Sequence, residues 1–190
     1  MTAGVTSDRI EGVMPDSAID RSALAVDLER ARADFHELVA GMGDDEWDRP
    51  SSGTRWTNEQ LLFHMVFGYM VVRRLLILVR IFGRLPDGVG RAFARLLDFV
   101  TTPFHLINYY GSCMATRVYN RRRMAAQLDR VIASLQRSLA REDDADLRRG
   151  MHYPTRWDPY FLDYMTLADI YRYPGRHYDH HRRQLSMQQL

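Results

Sequence analysis

The feature of this chain that most restricts its fold is the spacing of its apolar residues, which recur every three or four positions in long stretches. This period matches the turn of an α-helix, whereas a half-buried strand would alternate apolar and polar residues. No stretch alternates over the length that a sheet strand requires. The pattern therefore predicts an all-α fold.

Four long helices are predicted, at 20–42, 57–83, 115–141 and 166–185. The second has the clearest start, because Thr57 and Gln60 have the spacing of a capping box. Thr166 and Asp169 have the same spacing at the start of the last helix. Pro174 lies inside the last helix, where we expect a kink or a break, since proline lacks the amide hydrogen that the helix needs. Four helices of this length joined by loops predict an antiparallel four-helix bundle.

The segment between the second and third bundle helices is longer and more apolar than a simple loop. We expect extra helices in 89–110, broken near Pro103, and therefore inserted between these two bundle helices. Their apolar density is too high for water, so we expect them to form a pocket wall or a homodimer interface. The pair Arg73-Arg74 lies in apolar surroundings, which predicts partial burial and a partner such as Asp98 or Asp163.

The length and the start of the chain predict its domain organisation. A chain of 190 residues accommodates one domain with a substantial core. Residues 1–19 contain glycines, a proline and scattered charges without an apolar run. We therefore predict a flexible tail at 1–19 and a single helical domain at 20–190.

Charge and cysteine content argue against several classes of function. The chain has 26 basic and 24 acidic residues, a net charge of +2, which predicts no binding to nucleic acid. The apolar segment 61–82 contains one histidine and three arginines, so we predict no membrane span. The only cysteine, Cys113, allows no intramolecular disulfide and favours a cytoplasmic location.

Three of the seven histidines are predicted to face the core. His177 and His181 are four positions apart, so on one helix their side chains share a face. His64 lies on the inward line of the second helix, and Gly68 follows one turn later, which leaves open space beside the imidazole. Two helices are thus expected to bring three imidazoles together.

Three inward histidines have two interpretations. As core residues, each would need hydrogen-bond partners for its ring, and each missing partner would cost roughly 1–3 kcal/mol. A divalent metal would instead bind all three, with ring nitrogens about 3–4 Å apart. We therefore predict that His64, His177 and His181 are metal ligands. Zinc is the expected ion, and nickel and iron are alternatives, because imidazole suits all three.

Three neighbouring residues are left out of this site. On a helical wheel His180 falls on the outer face of the last helix, together with Tyr173. Trp56 precedes a capped helix, and we interpret it as a packing residue.

Two motifs resemble those of the DinB family. The stretch from Trp56 to His64 resembles the start of the family's second helix, with a tryptophan, a cap residue and a histidine. His177 and His181, followed by Gln184 and Leu185, resemble its closing motif. The resemblance implies a metal-binding four-helix bundle with the same three ligands. Residues 82–110 are longer and more apolar than the family's plain bundle connection.

The resemblance also implies a function. Family members with a known activity include thiol-dependent transferases and isomerases in which the metal activates a low-molecular-weight thiol. This implies a divalent-metal-dependent enzyme, an S-transferase or isomerase that uses a mycothiol-like thiol and a small-molecule substrate. Its catalytic and cofactor-binding residues stay unassigned.

The alternative is a non-enzymatic bundle with a structural or vestigial metal, which acts in dimerisation or in binding a hydrophobic small ligand. A solvent-connected cavity at the histidines would favour the enzyme, and a sealed site would favour the alternative.

Overall fold

A computed structural model describes residues 19–187. Within them the elements are α1 (Arg21–Gly41), α2 (Asn58–Phe82), α3 (Asp87–Phe99), α4 (Thr101–Ala115), α5 (Arg121–Leu139), α6 (Asp144–Arg148), β1 (Gly150–His152), β2 (Tyr164–Thr166) and α7 (Leu167–Arg182). The predicted all-α fold is confirmed, since the only sheet among these described residues has two strands of three residues. Residues 1–18 of the predicted flexible tail lie outside the described residues, so the tail stays a prediction.

Four helices, α1, α2, α5 and α7, form the bundle. Their inward positions recur at three and four residues, as on α1, where the buried residues are Leu24, Leu28, Ala31, Phe35 and Leu38. Removing these apolar side chains from water is the main source of stability of such a bundle. The predicted helix periodicity thus places one continuous core between the four helices.

Contacts along α1 fix its direction relative to α5 and α7. Arg21, at the start of α1, donates to the carbonyl oxygen of Glu142, just beyond the end of α5, at 2.8 Å. These two helices therefore run antiparallel. Asp34, later in α1, accepts hydrogen bonds from Tyr178 and from Arg182, at 2.7 Å from each, whereas Arg30 contacts Asp179. Together with the packing of Asp27 against Gly175, these pairs show that α1 and α7 run parallel.

Contacts along α2 complete the arrangement. Arg80, near the end of α2, donates to Ser138 near the end of α5 at 2.7 Å, so these two helices are parallel. His64, near the start of α2, lies beside His181, near the end of α7, so that pair is antiparallel. The bundle is therefore up-down-down-up, with two antiparallel and two parallel neighbouring pairs. The four-helix bundle is as predicted, but its antiparallel arrangement holds for two of the four pairs only, because the long insertion after α2 lets α5 point the same way as α2.

The inserted helices are confirmed as α3 and α4, with the break at Val100. Parallel neighbours need a connection that returns the chain to its starting end. At about 1.5 Å per residue, α2 spans roughly 37 Å, and α3 and α4 together span roughly 42 Å. The insertion is thus long enough to carry the chain back along α2.

The predicted start of the third bundle helix, at 115, is wrong. Helix α4 continues to Ala115, and α5 begins only at Arg121. Val118, inside the predicted helix, is 58% exposed in the turn between the two helices.

A loop was predicted between the last two bundle helices, where the chain instead also forms β1. This strand pairs antiparallel with β2, with Met151 opposite Met165. The hairpin leads directly into α7, whose predicted capping box is present: Thr166 accepts from the amide of Asp169, whose side chain accepts from the amide of Thr166. Helix α7 is continuous through Pro174, so the chain does not break there.

Helix α2 is long and apolar enough to cross a membrane by length and composition. However, 56% of its most apolar window is buried against the bundle, as expected for a core helix. The predicted burial of Arg73-Arg74 is wrong. Both are exposed, and neither pairs with Asp98 or Asp163 in the part of the chain that the structure describes.

Several large apolar side chains of α3 and α4 face solvent, and the homodimer therefore stays a prediction with a direct test. Phe99 is 87% exposed and Ile107 is 69% exposed. If these helices form the dimer interface, the double substitution Phe99→Glu and Ile107→Glu should convert a dimer into a folded monomer, because charges would be buried without partners. Analytical ultracentrifugation with circular dichroism would measure both properties.

Val26→Glu is the matched control, because Val26 is 67% exposed but lies on α1. The Val26→Glu variant should still sediment as a dimer. A native protein that sediments as a monomer at micromolar concentration would contradict the prediction.

Candidate metal centre

The start of α2 is tied to the chain segment that follows α7. The predicted capping box is present: Thr57 accepts from the amide of Gln60 at 3.4 Å, and Gln60 accepts from the amide of Thr57 at 3.2 Å. The buried Asn58 side chain then accepts from the amide of Ser186 at 3.0 Å and donates to its carbonyl oxygen at 3.1 Å. This cross-link holds the first turns of α2 beside the end of α7.

His64, His177 and His181 converge as predicted. Each offers one ring nitrogen, and these nitrogens all lie within 4.8 Å of one another. The ring centroids are 5.0 Å apart for His64 and His177, 4.7 Å for His64 and His181, and 4.5 Å for His177 and His181. This upper limit leaves the predicted spacing of 3–4 Å a prediction. Two nitrogens about 2.1 Å from one ion are at most about 4.2 Å apart, so the convergence is of the scale that a shared ion requires.

Gly68 allows α2 and α7 to approach closely at the site. A Cβ atom on this residue would lie 2.9 Å from Nδ1 and 3.1 Å from Cε1 of His177. Real side chains do not tolerate such a contact, so the His177 ring occupies the space that a larger residue would take. The space predicted beside His64 is therefore filled by another ligand candidate.

Hydrogen bonds fix the tautomers of two histidines. Ser112 on α4 donates its only hydroxyl hydrogen to the carbonyl oxygen of Asn108 at 2.9 Å, so it must accept from Nδ1 of His64, 3.3 Å away. The Gln184 carbonyl oxygen similarly accepts from Nδ1 of His181 at 2.7 Å. Both rings thus carry hydrogen on Nδ1 and keep the Nε2 lone pair free, as metal-bound histidines with such supporting contacts do.

His177 gives the strongest sign that the residues fit a metal. Its Nδ1 is buried and has no hydrogen-bond partner among the described residues. Its Nε2 lies 3.9 Å from a carboxylate oxygen of Asp158, too far for a direct hydrogen bond. A buried imidazole with neither nitrogen satisfied is costly unless a ligand joins the site. Three imidazole nitrogens are the donor set that zinc, nickel and iron accept.

Burial keeps the three imidazoles neutral. Loss of hydration lowers the pKa of His64 to about 3 and that of His181 to about 4. The same cause, reinforced by the other histidines nearby, lowers the pKa of His177 well below its usual value. Imidazole binds a metal only in its neutral form, so the folded chain holds all three ligands ready at neutral pH.

The histidines adjoin two cavities. An inner pocket of about 210 Å³ has mainly apolar and aromatic walls and contains all three histidines. A cleft of about 390 Å³ adjoins it and shares His181, Trp56 and Asn108 with it. Helix α4 contributes to both walls, which confirms the pocket-wall version of the prediction for the inserted helices.

Sequence reasoning missed the carboxylate of the inner pocket. Asp158 accepts from the Tyr173 hydroxyl at 2.9 Å and from the amide of Tyr160 at 2.8 Å. Burial raises the pKa of this carboxyl group. No periodic pattern marks Asp158, because it lies in the loop between β1 and β2. Ser112 gave no signal either, whereas Gln184 was visible as part of the closing motif.

Two of the three residues excluded from the site adjoin it. Trp56 stacks on His64, with ring centroids 4.4 Å apart, and lines both cavities, so its role is not only packing. Tyr173 is buried against the inner pocket, and its predicted outer position is wrong. His180 is half-buried and lines the cleft, but it does not belong to the converging group.

This fold and site define a class of α-helical bundles with a three-histidine cluster beside a cavity. The family model of the DinB superfamily matches residues 27–185. Because the match covers most of the chain, the chain belongs to the DinB superfamily, and the resemblance seen in the two motifs is confirmed. No curated protein and no solved structure matches it significantly.

The contact between Gly68 and His177 predicts the behaviour of Gly68→Ala. The added methyl group should displace the His177 ring and lower zinc affinity about tenfold or more. The fold should persist, since alanine favours the helix by about 1 kcal/mol over glycine. Competition with a chromogenic chelator would measure the affinity.

Gly111→Ala in α4 is the matched control, because a Cβ there meets open space. It should bind zinc as the native chain does. Equal zinc affinity in both variants would contradict the proposed role of Gly68.

The lowered histidine pKa values predict that the metal-free protein loses stability in acid. Between pH 6.5 and the folded-state values, the unfolded chain binds protons that the folded chain excludes, so stability falls as pH falls. Well below pH 6.5, His64 and His177 should each contribute a slope that approaches about 1.4 kcal/mol per pH unit. The contribution of His181 should end sooner as pH falls, because its folded-state pKa is about 4.

Urea unfolding in the presence of a chelator, between about pH 7 and pH 5, would measure this slope. A His64→Phe variant should show a shallower slope, whereas His105→Asn, at an exposed position, should not. Stability that is independent of pH over this range would contradict the prediction.

Proposed function

We propose that this chain is a divalent-metal-dependent enzyme in which His64, His177 and His181 hold one ion. One observation carries the proposal: the three histidines line a cavity, and one of them, His181, also lines the neighbouring surface cleft. Zinc is the proposed ion. Three protein ligands leave at least one position open, which is the pattern of catalytic sites and not of closed structural sites.

The bound ion would supply a Lewis acid that lowers the pKa of a thiol or a water molecule. The residues of the chain would form the environment of this ion. Phe67, Val71 and Phe104 give the inner pocket apolar walls that exclude water and suit the apolar part of a small molecule. Asp158 and Tyr173 form a hydrogen-bonded pair at its edge, which provides the carboxylate and hydroxyl oxygens of the pocket.

We further propose that the reaction is an S-transfer or isomerisation that uses a low-molecular-weight thiol such as mycothiol. Cys113 lines neither cavity, so the chain itself offers no thiol to the substrate there. A nucleophilic sulfur would therefore have to come from a bound cofactor. The near-neutral net charge and the single cysteine support a cytoplasmic enzyme without a nucleic-acid or membrane partner.

A second candidate function is favoured by the exposed apolar residues of α3 and α4, among them Phe99 and Ile107. In this version the ion is structural, and the bundle acts through dimerisation or by binding a hydrophobic small ligand. The two candidates differ in whether the metal-loaded protein turns over a substrate.

The proposed ligands predict the metal content. The native chain should bind one equivalent of zinc, and His64→Ala, His177→Ala and His181→Ala should each lose it, because two imidazoles bind far more weakly than three. Mass spectrometry of the native protein and inductively coupled plasma analysis would measure this. His36→Ala, on the surface of α1 beside Asp129, is the control that should retain the metal. Retention with unchanged affinity in His177→Ala would identify other ligands.

If the proposed reaction is an S-transfer, the zinc-loaded protein should consume thiol in the presence of mycothiol and an electrophilic acceptor. The rate should fall to background in His177→Ala and after chelation, and should stay unchanged in His36→Ala. A thiol assay and mass spectrometry of the adduct would measure it. Full metal occupancy without turnover of any thiol and acceptor tested would favour the second candidate.

A further inference from the structure

The two cavities beside the histidines differ in chemistry. The inner pocket is mainly apolar and contains one carboxylate, that of Asp158. The outer cleft is less apolar, contains no carboxylate among its lining residues, and is lined in part by Arg55, His105 and His180. Together their volumes fall within the range of about 300–1,000 Å³ in which proteins bind small molecules.

Arg55 is the fixed positive charge of the cleft. Its guanidinium carbon lies 4.4 Å from the centroid of the Tyr109 ring, which holds the planar group by a cation–π contact. Among residues 19–187 no hydrogen bond or ion pair occupies its N–H groups, which are therefore free to bind a ligand. A stacked guanidinium with free N–H groups is suited to a planar oxyanion.

The loop that carries Arg55 is held in place by backbone hydrogen bonds. The Ser52 amide donates to the carbonyl oxygen of Gln184 at 2.7 Å, and the Ser51 amide donates to that of Trp56 at 3.0 Å. Gly53, between Ser52 and Trp56, turns the chain with a φ of 70°, a conformation that favours glycine. The charge is therefore positioned on a turn fastened to the end of α7, beside His181.

We infer that the outer cleft binds the carboxylate group of an amphiphilic small molecule whose apolar part lies in the inner pocket. This inference rests on the proposed function, because it identifies the substrate class of the same site. The molecule would extend past His181 and Trp56, which line both cavities. Its carboxylate would accept hydrogen bonds from Arg55, and its apolar part would contact residues such as Phe104.

The test is isothermal titration calorimetry with three probes that share an aromatic end: 4-phenylbutyrate, its neutral amide 4-phenylbutyramide, and phenethyl phosphate. Each is titrated into the full chain with and without zinc, because a carboxylate also binds metal directly. The native protein should bind the carboxylate about tenfold more tightly than the amide in both states. Arg55→Gln should abolish this preference and leave amide binding unchanged.

Two further variants test whether the carboxylate preference depends on the guanidinium group of Arg55. Arg55→Lys keeps the charge but not the planar pair of donors, so it should restore part of the preference. Arg74→Gln removes another exposed arginine, one that lines neither cavity, and should change nothing. Equal affinity for carboxylate and amide in the native protein would overturn the inference, as would an equal loss in Arg74→Gln.

The inference would also be overturned if phenethyl phosphate bound more tightly than 4-phenylbutyrate and this binding depended on Arg55. The cleft would then bind a phosphate ester. Failure of this inference and failure of the proposed function remain distinguishable. A native chain that binds no zinc would contradict the metal-dependent function, but the zinc-free titrations would still test Arg55. Zinc binding without a carboxylate preference would contradict the inference alone.

Discussion

The parallel direction of α2 and α5 is the constraint on which the rest of the structure depends. Two neighbouring helices that point the same way cannot be joined by a short turn, so the chain must return along the bundle between them. Helices α3 and α4 make this return, and α4 comes back to the end of α2 that carries His64. The topology thus brings a helix outside the bundle against the histidines, where it supplies Ser112 and part of both cavity walls.

At the site, burial removes the water that would otherwise hydrate the three imidazoles. Three imidazoles in a dry environment are kept neutral because protonation would place charges where water cannot reach them. Ser112 and Gln184 satisfy one nitrogen each on His64 and His181, but neither nitrogen of His177 is satisfied by a described residue at hydrogen-bond distance. The bundle core, and not the site, must provide the stability that tolerates this arrangement. A strained or unsatisfied group that the fold tolerates is a common property of functional sites.

The sequence was sufficient to predict the features that repeat along a helix or depend on near neighbours. The two capping boxes, the inward position of His64 and the pairing of His177 with His181 are of this kind. The hairpin was missed because three-residue strands are too short to show a period. Tyr173 was misplaced because α7 is buried on most of its circumference, so a helical wheel cannot identify an outer face. Asp158 and Ser112 reach the site only through the tertiary path of a loop and of α4, which no local pattern encodes.

The division of the site between elements has a consequence for how such a protein can diversify. The three histidines lie on α2 and α7, inside the bundle, whereas much of the cavity lining comes from α4 and from the loop between β1 and β2. Substitutions in the crossover can therefore reshape what the cavity accepts while the histidine cluster and the core stay intact. In evolutionary terms the histidine cluster and the cavity lining of this bundle are separable, and the cavity can change its shape and polarity without rebuilding the cluster.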